Sequence, residues 1–384
     1  MKNFIFTNPT KLIFGKDSIA RITNFLPKDA IILLTYGGGS IMKNGIYDQV
    51  MEQLKGFKVV PFGGIEANPD IATLEKAIEL GRKEKINFIL AVGGGSVIDG
   101  SKLIAIAIPS TTPAWDIVKT GKFEGAIPFG TVLTVPATGS EMNSGAVISN
   151  RETKEKFGFY GTFPLFSVMD PTYAYTLSKH QISCGIADAF MHVCEQYLTY
   201  PDQSGVMDRM SEGILLNLID ISKSQDKLAE HDYDTFCEYM LSATIALNGF
   251  LSMGTAQDWL AHMIGHEITA LTGITHGASL AMVYPSVLRV MRPHKEGKIL
   301  QYAKRVWGIE GDNTDEIVTK AISKTEEFFR SLGLAANMAE GKVDQSVADE
   351  IIRRMEERGH KYGEGRIASV EEVKVILKDS LSQK

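Results

Sequence analysis

The stretch FILAVGGGSVIDGSK, residues 88–102, decides the fold. It begins with β-forming apolar residues and passes through three consecutive glycines into a segment with the pattern of a helix. The stretch LLTYGGGS, residues 33–40, repeats the first part of this pattern. Both stretches predict a strand that runs into a glycine turn and opens a helix, so the βα unit is repeated along the chain.

The rest of the first half alternates the same two patterns. Residues 68–85 carry apolar positions at helical spacing, with Asn68 as the candidate N-cap and Pro69 just behind it. Strand, helix and strand in this order imply right-handed crossovers and a parallel sheet that is covered on both faces. Strands are predicted at residues 31–36, 57–62, 87–92, 130–136 and 165–170.

From about residue 180 the strand patterns give way to long amphipathic stretches, and Asp170-Pro171 just before them favours a turn. The chain therefore predicts an α/β domain with a parallel Rossmann-like sheet over residues 1–178 and an all-α domain over residues 179–384. Helices in the second domain are predicted at residues 182–199, 205–224, 233–250, 257–271, 278–292, 313–332 and 344–357.

Composition excludes several classes of protein. The 384 residues carry a formal net charge of −6 without a basic run, which argues against a nucleic-acid surface. The apolar runs fall far short of the ~20 residues that a membrane span needs. Three cysteines without a CxxC pair indicate neither a disulfide framework nor a thiolate metal site. We expect a cytoplasmic protein that does not bind nucleic acid or membranes.

The second glycine turn is a candidate pyrophosphate site. Glycines let a ligand approach the backbone closely, and the N–H groups of the following helical turn then point at it. A tight turn needed only for packing is the alternative. The turn matches neither the Walker A order nor the GxGxxG fingerprint, so an ordinary nucleotide-triphosphate or Rossmann site is excluded. The residues concerned are Gly93, Gly94, Gly95 and Ser96.

A second cluster of small hydroxyl residues, which includes Thr138 and Ser140, leaves the predicted strand that ends at Pro136. Their side chains can donate hydrogen bonds to phosphate, amide or ribose oxygens. Capping of a helix or turn by the same side chains is an equal alternative.

Two short windows of the second half have the composition of a metal site. Asp188 and His192 are four residues apart on a predicted buried helix, so they point the same way, and a buried carboxylate needs a counter-charge. His262 and His266 repeat that spacing, and His276 follows in a loop. Oxygen and imidazole ligands suit Fe(II), Zn(II), Mn(II) or Ni(II). Spacing alone does not choose between His262 and His266, and the zincin motifs are not matched.

These motifs, in order along the chain, resemble the iron-containing (group III) alcohol dehydrogenase family over nearly the whole length. The resemblance looks closest to its butanol dehydrogenase and NADPH-dependent aldehyde reductase subgroup. It implies the dehydroquinate synthase-like fold of that family, with one Fe²⁺ or Zn²⁺ ion. The stretches that carry it are PTKLIFGKDSI, FGGIEANP, AVGGGSVIDGSK, VPATGSE, GIADAFMHVCEQY and DWLAHMIGHEITALTGITHG.

The resemblance also assigns roles to individual residues. It implies that Asp188, His192, His262 and His276 bind the metal, and that His266 lies near the metal without binding it. Because His266 is one turn after His262, it is the candidate proton relay. It implies that the cofactor contacts Gly93, Gly94, Gly95, Ser96, Asp99, Thr138, Ser140 and Lys156, the last of these in an irregular stretch.

The first glycine turn bears on the choice of cofactor. NAD-specific enzymes usually carry an acid at this point to bind the ribose 2′-hydroxyl group. This chain has Gly37, Gly38, Gly39 and Ser40 instead, with Lys43 nearby, so a 2′-phosphate is not repelled. We therefore expect NADP(H) in preference to NAD(H).

The expected function is metal-dependent hydride transfer between NADP(H) and small to medium primary alcohols or aldehydes. The alternatives are a dehydroquinate synthase-like lyase, an NAD-dependent polyol dehydrogenase on the same fold, and a metal-binding protein without catalysis. A homodimer is expected, and the segment FIFTNPTKLIFG, residues 4–15, is a candidate edge strand for it.

Overall fold

The computed structural model describes residues 1–199 and 205–382, which form two compact units. The α/β unit comprises Thr7–Leu177 and Glu230–Thr244. The helical unit comprises Met1–Phe6, Ser178–Ala229 and Ile245–Lys384.

The α/β unit contains a six-stranded sheet in the order β1-β8-β5-β4-β2-β3, in which all neighbouring strands are parallel. Its central strands are apolar and almost completely buried, as expected for a parallel sheet covered on both faces. The strands of the chain are β1 (Lys11–Phe14), β2 (Ile31–Tyr36), β3 (Lys58–Phe62), β4 (Phe88–Gly94), β5 (Phe129–Val135), β6 (Gly145–Asn150), β7 (Glu155–Tyr160) and β8 (Phe166–Met169).

The two glycine turns lie at the carboxyl ends of β2 and β4, which are hydrogen-bonded neighbours in the sheet. Because the carboxyl ends of parallel strands meet at one edge, both turns lie at the same edge of the sheet. The strand order therefore brings together two turns that are more than fifty residues apart in the sequence.

Helices alternate with strands in the first half of the chain and make up most of the second half. They are α1 (Ser40–Lys43), α2 (Ile46–Gln53), α3 (Ile71–Glu84), α4 (Gly95–Ala107), α5 (Ala114–Thr120), α6 (Lys179–Tyr197), α7 (Gly205–Lys223), α8 (Gln225–Ala229), α9 (Tyr233–Leu247), α10 (Leu260–Thr272), α11 (His276–Val290), α12 (Arg292–Arg305), α13 (Thr314–Ser331), α14 (Gln345–Arg358) and α15 (Val370–Ser382).

The predicted fold class is confirmed, with a parallel α/β sheet in the first half and helices in the second. Two local expectations are wrong. The N-cap of α3 is Asp70, whose side chain accepts a hydrogen bond from the Ala72 N–H, whereas Asn68 has a left-handed backbone with φ 57°. The stretch around Lys156 is not irregular, because β6 and β7 pair as an antiparallel hairpin.

In the helical unit, α6 is buried on nearly every side from Ile182 to Tyr197, so it lies in the interior. A capping box between Ser178 and Gln181 fixes its first turn. It packs against α7 and α11, and α11 packs against α10. None of the helices in the described ranges has both the length and the apolar character that crossing a bilayer requires.

Candidate metal centre and cofactor turns

Three imidazole rings of the helical unit surround one carboxylate oxygen. The Oδ1 atom of Asp188 lies 3.5 Å from Nε2 of His192, 3.9 Å from Nε2 of His262 and 3.9 Å from Nε2 of His276. The predicted i, i+4 pair on α6 thus meets one histidine of α10 and the first residue of α11. The structure brings together the four residues that the resemblance implied as ligands.

Close helix packing makes this meeting possible. At Gly277, next to His276, an added Cβ would overlap the backbone carbonyl group of Cys184 on α6. At Gly265 on α10, an added Cβ would lie 2.8 Å from Leu280 Cδ2 on α11. Glycine at these two positions lets the three ligand-bearing helices approach closely enough for their side chains to converge.

The donor set fits a divalent transition metal. The distances from Asp188 Oδ1 are too long for strong hydrogen bonds. They are similar to the spacing of about 3.4 Å between ligands that each lie ~2.1 Å from a tetrahedral ion. The ligand atoms of Asp188, His262 and His276 all lie within 4.8 Å of one another. One carboxylate with several imidazoles is the ligand chemistry of Fe²⁺ and Zn²⁺.

The electrostatics of the site also favour metal binding. Burial, together with the neighbouring His262 ring, lowers the pKa of His192 well below its ordinary value. The His192 ring is therefore neutral, which is the form that coordinates a metal. Asp188 and His192 are only 4% and 3% exposed, so water does not screen their interactions.

A buried carboxylate beside the site was not singled out from the sequence. Glu195 on α6 is 1% exposed; its Oε2 atom contacts Nδ1 of His262, and its Oε1 atom accepts a hydrogen bond of 2.8 Å from the Ala261 N–H. Burial, and then repulsion by Asp258, raises the pKa of Glu195 well above its ordinary value. Its spacing of three residues from His192 places both side chains on one helix face, which is a signal that the sequence does contain.

His266 lies beside the four residues. Its ring centroid is 4.8 Å from that of His276 and 6.2 Å from that of His262. Trp259 packs edge-on against His262, with ring centroids 5.1 Å apart, and against His192 at 6.2 Å. Trp259 has a left-handed backbone with φ 63°, a conformation that is costly for a bulky residue and that occurs often at functional sites.

In the α/β unit, the second glycine turn is crowded. An added Cβ would lie 2.6 Å from Val97 at Gly93, 2.7 Å from Val135 at Gly94 and 2.7 Å from Thr138 Cγ2 at Gly95. Each of these distances is shorter than real Cβ contacts allow, so packing alone requires three glycines here. The packing requirement for glycine is compatible with a bound pyrophosphate, because residues without side chains also leave their backbone N–H groups accessible to a ligand.

The first glycine turn is open at its last two glycines, although at Gly37 an added Cβ would lie 3.2 Å from the backbone oxygen of Ile65. An added Cβ would meet nothing within 4 Å at Gly38 or Gly39, although Gly39 has a φ of 91° that favours glycine. Ser40 and Lys43 are exposed on the following turn, α1. The end of β2 therefore presents a hydroxyl group and an ammonium group to solvent.

The other predicted cofactor residues are linked by hydrogen bonds. The Asp99 carboxylate accepts from Ser140 Oγ and from the Val147 N–H, so it ties α4 to the segment 138–147. Thr138 Oγ1 accepts from the Ser140 N–H, which is the capping role considered for these residues. Lys156 Nζ donates to Asn68 Oδ1 at 2.9 Å.

A buried lysine that was not singled out from the sequence reinforces this segment. Lys102 Nζ donates to Ser140 Oγ, Asn143 Oδ1 and the Gly145 carbonyl oxygen, over distances of 2.6 to 2.9 Å. Burial lowers the pKa of Lys102 to about 8, although the Asp99 carboxylate opposes the shift. Asp99 and Lys102, which are one turn apart on α4, thus both hold the segment that follows β5.

Comparison with known proteins agrees with this arrangement. The family model for iron-containing alcohol dehydrogenase matches residues 9–171, and the C-terminal model of the Fe-containing alcohol dehydrogenase family matches residues 182–381. The chain is 46% identical, over 94% of each sequence, to the NADPH-dependent aldehyde reductase YqhD of Escherichia coli. It is 40% identical to the probable NADH-dependent butanol dehydrogenase 1 of Bacillus subtilis, over 99% of this chain and 100% of that one.

Solved structures show the same likeness. The crystal structure of E. coli YqhD matches with a TM-score of 0.96 and 43% identity, over 99% of both chains. The structure of NADH-dependent butanol dehydrogenase A from Thermotoga maritima matches with a TM-score of 0.93 and 33% identity, also over 99% of both chains.

Proposed function

The chain belongs to the iron-containing alcohol dehydrogenase family, and we propose that it transfers hydride between NADP(H) and small to medium primary alcohols or aldehydes. The observation that supports this most directly is the convergence of three imidazole Nε2 atoms on Asp188 Oδ1. A buried set of one carboxylate and three imidazoles has little structural purpose without a cation to hold.

We assign the metal to Asp188, His192, His262 and His276. When bound, Fe²⁺ or Zn²⁺ supplies a Lewis acid that polarises an aldehyde carbonyl or stabilises an alkoxide. Asp188 contributes the one formal negative charge of the set, and the imidazoles contribute neutral nitrogen atoms. The Trp259 ring, packed against His192 and His262, shields these two ligands from water.

His266 is the proposed proton relay. Its ring lies next to His276 and outside the set of four, so an imidazole nitrogen of His266 can hold the proton that an alkoxide takes up to become an alcohol. Of the two histidines on α10, His262 would then bind the metal and His266 would act as the general acid and base.

For the dinucleotide, we assign the pyrophosphate to the turn Gly93, Gly94, Gly95 and Ser96. Asp99, Thr138, Ser140 and Lys156 are proposed to line the nucleotide. NADP(H) is favoured over NAD(H) because β2 is followed by Gly37, Gly38 and Gly39 without an acid, and Ser40 and Lys43 are exposed beside them. The relative from E. coli is named for NADPH and that from B. subtilis for NADH, so the preference rests on these side chains.

A homodimer in the cytoplasm is the proposed working form. Strand β1 lies at an edge of the six-stranded sheet, and Ile5, which precedes it in the chain, is 97% exposed. An open strand edge is a ready site for pairing with a second chain. The three cysteines are unpaired, which suits a reducing compartment.

The test is to strip the purified protein of metal and to reload it with Fe²⁺ or Zn²⁺. We expect oxidation of NADPH by butanal to be lost on stripping and restored on reloading, in the wild type and not in Asp188→Ala. Turnover by the stripped protein or by metal-free Asp188→Ala at the wild-type rate would refute the proposal.

A further inference from the structure

We infer that Glu195 is a positioning residue for the metal centre, which holds His262 in the one tautomer that can bind the ion. The inference rests on the proposed function, because it needs a metal bound to His262. The contact of Glu195 with His262 is not to Nε2, the ring nitrogen that faces Asp188. It acts on the opposite side of the His262 ring, through Nδ1.

The tautomer follows from the two sides of the ring. A neutral imidazole carries one N–H donor and one acceptor nitrogen. Nε2 of His262 points towards Asp188 Oδ1, at 3.9 Å, and Nδ1 faces the Glu195 carboxylate. Burial favours the neutral form of Glu195, which would donate to Nδ1 and leave the ring proton on Nε2, but a cation at Nε2 favours the ionised form. When the Nδ1–H group donates a hydrogen bond to the ionised Glu195, the lone pair on Nε2 is free for the metal. A carboxylate in this position also makes the imidazole a more basic ligand.

Helix capping accounts for only part of the contacts of Glu195. Its Oε1 atom accepts from the Ala261 N–H in the first turn of α10, as a capping carboxylate does. Its Oε2 atom, however, lies against His262, and an exposed serine or asparagine could cap the helix without burying a charge. A carboxylate that is 1% exposed is better explained by both contacts together.

A buried ion pair holds Glu195 in place. The Asp258 N–H donates to the backbone oxygen of Glu195 at 2.8 Å, and the Asp258 carboxylate lies 2.8 Å from Lys295 Nζ. Lys295, 2% exposed, also donates to the Leu198 carbonyl oxygen at the end of α6. Lys295 therefore ties the end of α6 to the residues that precede α10, and this tie fixes Glu195 relative to His262.

The test measures the affinity of the metal-stripped chain for Zn²⁺, by competition with a chelator, in wild type, Glu195→Gln and Glu195→Ala. Loss of the carboxylate should weaken Zn²⁺ binding by about 10–100-fold. The visible spectrum of the Co²⁺-loaded protein should also change in Glu195→Gln, because the basicity of one ligand changes. A merely structural role would lower the melting temperature without altering that spectrum.

The matched control is Glu267→Gln. Glu267 is on the same helix as His262 and is 3% exposed, but it pairs with Arg354 and Arg358. Its loss should lower stability and leave the Zn²⁺ affinity of the folded protein unchanged. Equal loss of affinity in both variants would overturn the inference, because burial of any carboxylate on these helices would then suffice.

A crystal structure of the Zn²⁺-loaded wild type gives a second test that needs no variant. Coordination through Nε2 of His262, with Nδ1 hydrogen-bonded to Glu195, supports the inference, and coordination through Nδ1 overturns it. If the wild type binds no metal at these residues, the proposed function fails. If it binds metal and Glu195→Gln binds it equally well, only the inference about Glu195 fails.

Discussion

In the helical unit the proposed metal ligands are mostly buried side chains, whereas the two glycine turns of the α/β unit offer mainly backbone groups. Asp188, His192 and His262 are each 3–6% exposed, and the approach of three helices sets their positions. The turn at Gly38 is open to solvent and offers N–H groups instead. A site of the first kind depends on which side chains are present. A site of the second kind depends on which side chains are absent.

This difference predicts two kinds of sensitivity. At the metal centre, truncating a side chain removes a ligand and leaves the other buried polar groups without their partner, which is costly. At the glycine turns, adding a side chain does the damage, where packing is tight or where φ is left-handed. The following substitutions test this comparison.

The largest effect is expected for His262→Ala compared with His266→Ala. Loss of His262 should release the metal and reduce turnover on the order of 10³-fold, because a bound cation contributes several kcal/mol to the transition state. Loss of His266 should retain the metal and reduce kcat by about 10²-fold, as for a general acid or base. Metal analysis measures whether each variant retains the ion, and steady-state assays with butanal and NADPH measure its turnover. If the His266 variant lost the metal and the His262 variant kept it, the two roles would have to be exchanged.

A smaller effect is expected for Gly95→Ala. The new Cβ would press on Thr138, which in turn accepts from the Ser140 N–H. We expect a loss of about 1–3 kcal/mol in the free energy of unfolding, typical of overpacking, and weaker binding of NADPH. Chemical denaturation and fluorescence titration with NADPH are the measurements.

Gly38→Ala is the control from the open turn. An added Cβ meets nothing within 4 Å there, and its φ is not in the left-handed region. The variant should be as stable as the wild type, or more stable by about 0.4–1 kcal/mol through the entropy of the unfolded chain. Equal destabilisation of both variants would show that the two turns do not differ in packing.

The comparison also explains what the sequence predicts well. The strands, most helices and the pairing of Asp188 with His192 depend on local patterns, namely strand runs, helical spacing and the i, i+4 rule. The glycine turns follow from consecutive residues. For these features a short window of sequence contains the physical cause.

The features that the sequence did not predict depend on distant contacts. Glu195 meets His262 across 67 residues, and although its spacing from His192 places it on the same helix face, no local pattern identifies His262 as its partner. Lys102 is likewise defined by acceptors about forty residues later in the chain. The N-cap of α3 was misplaced for a related reason, because Asn68 has a left-handed backbone and its Oδ1 atom accepts from Lys156, 88 residues later, while Asp70 caps the helix.

The smallest effect is expected at the exposed side of the first glycine turn, for Lys43→Ala. Lys43 is exposed, and exposed ion pairs contribute about 0.2–1 kcal/mol, so the KM for NADPH should rise by at most about fivefold. The KM for NADH, which has no 2′-phosphate, should not change, and the effect on NADPH should shrink as salt is added. Steady-state assays with each cofactor at low and high salt measure these changes in KM.

Lys55→Ala, at an exposed lysine that pairs with Glu52, is the control and should change neither KM. An equal rise for NADH and NADPH in Lys43→Ala would mean that the open turn does not select between the two cofactors, because a contact to the 2′-phosphate can affect only one of them.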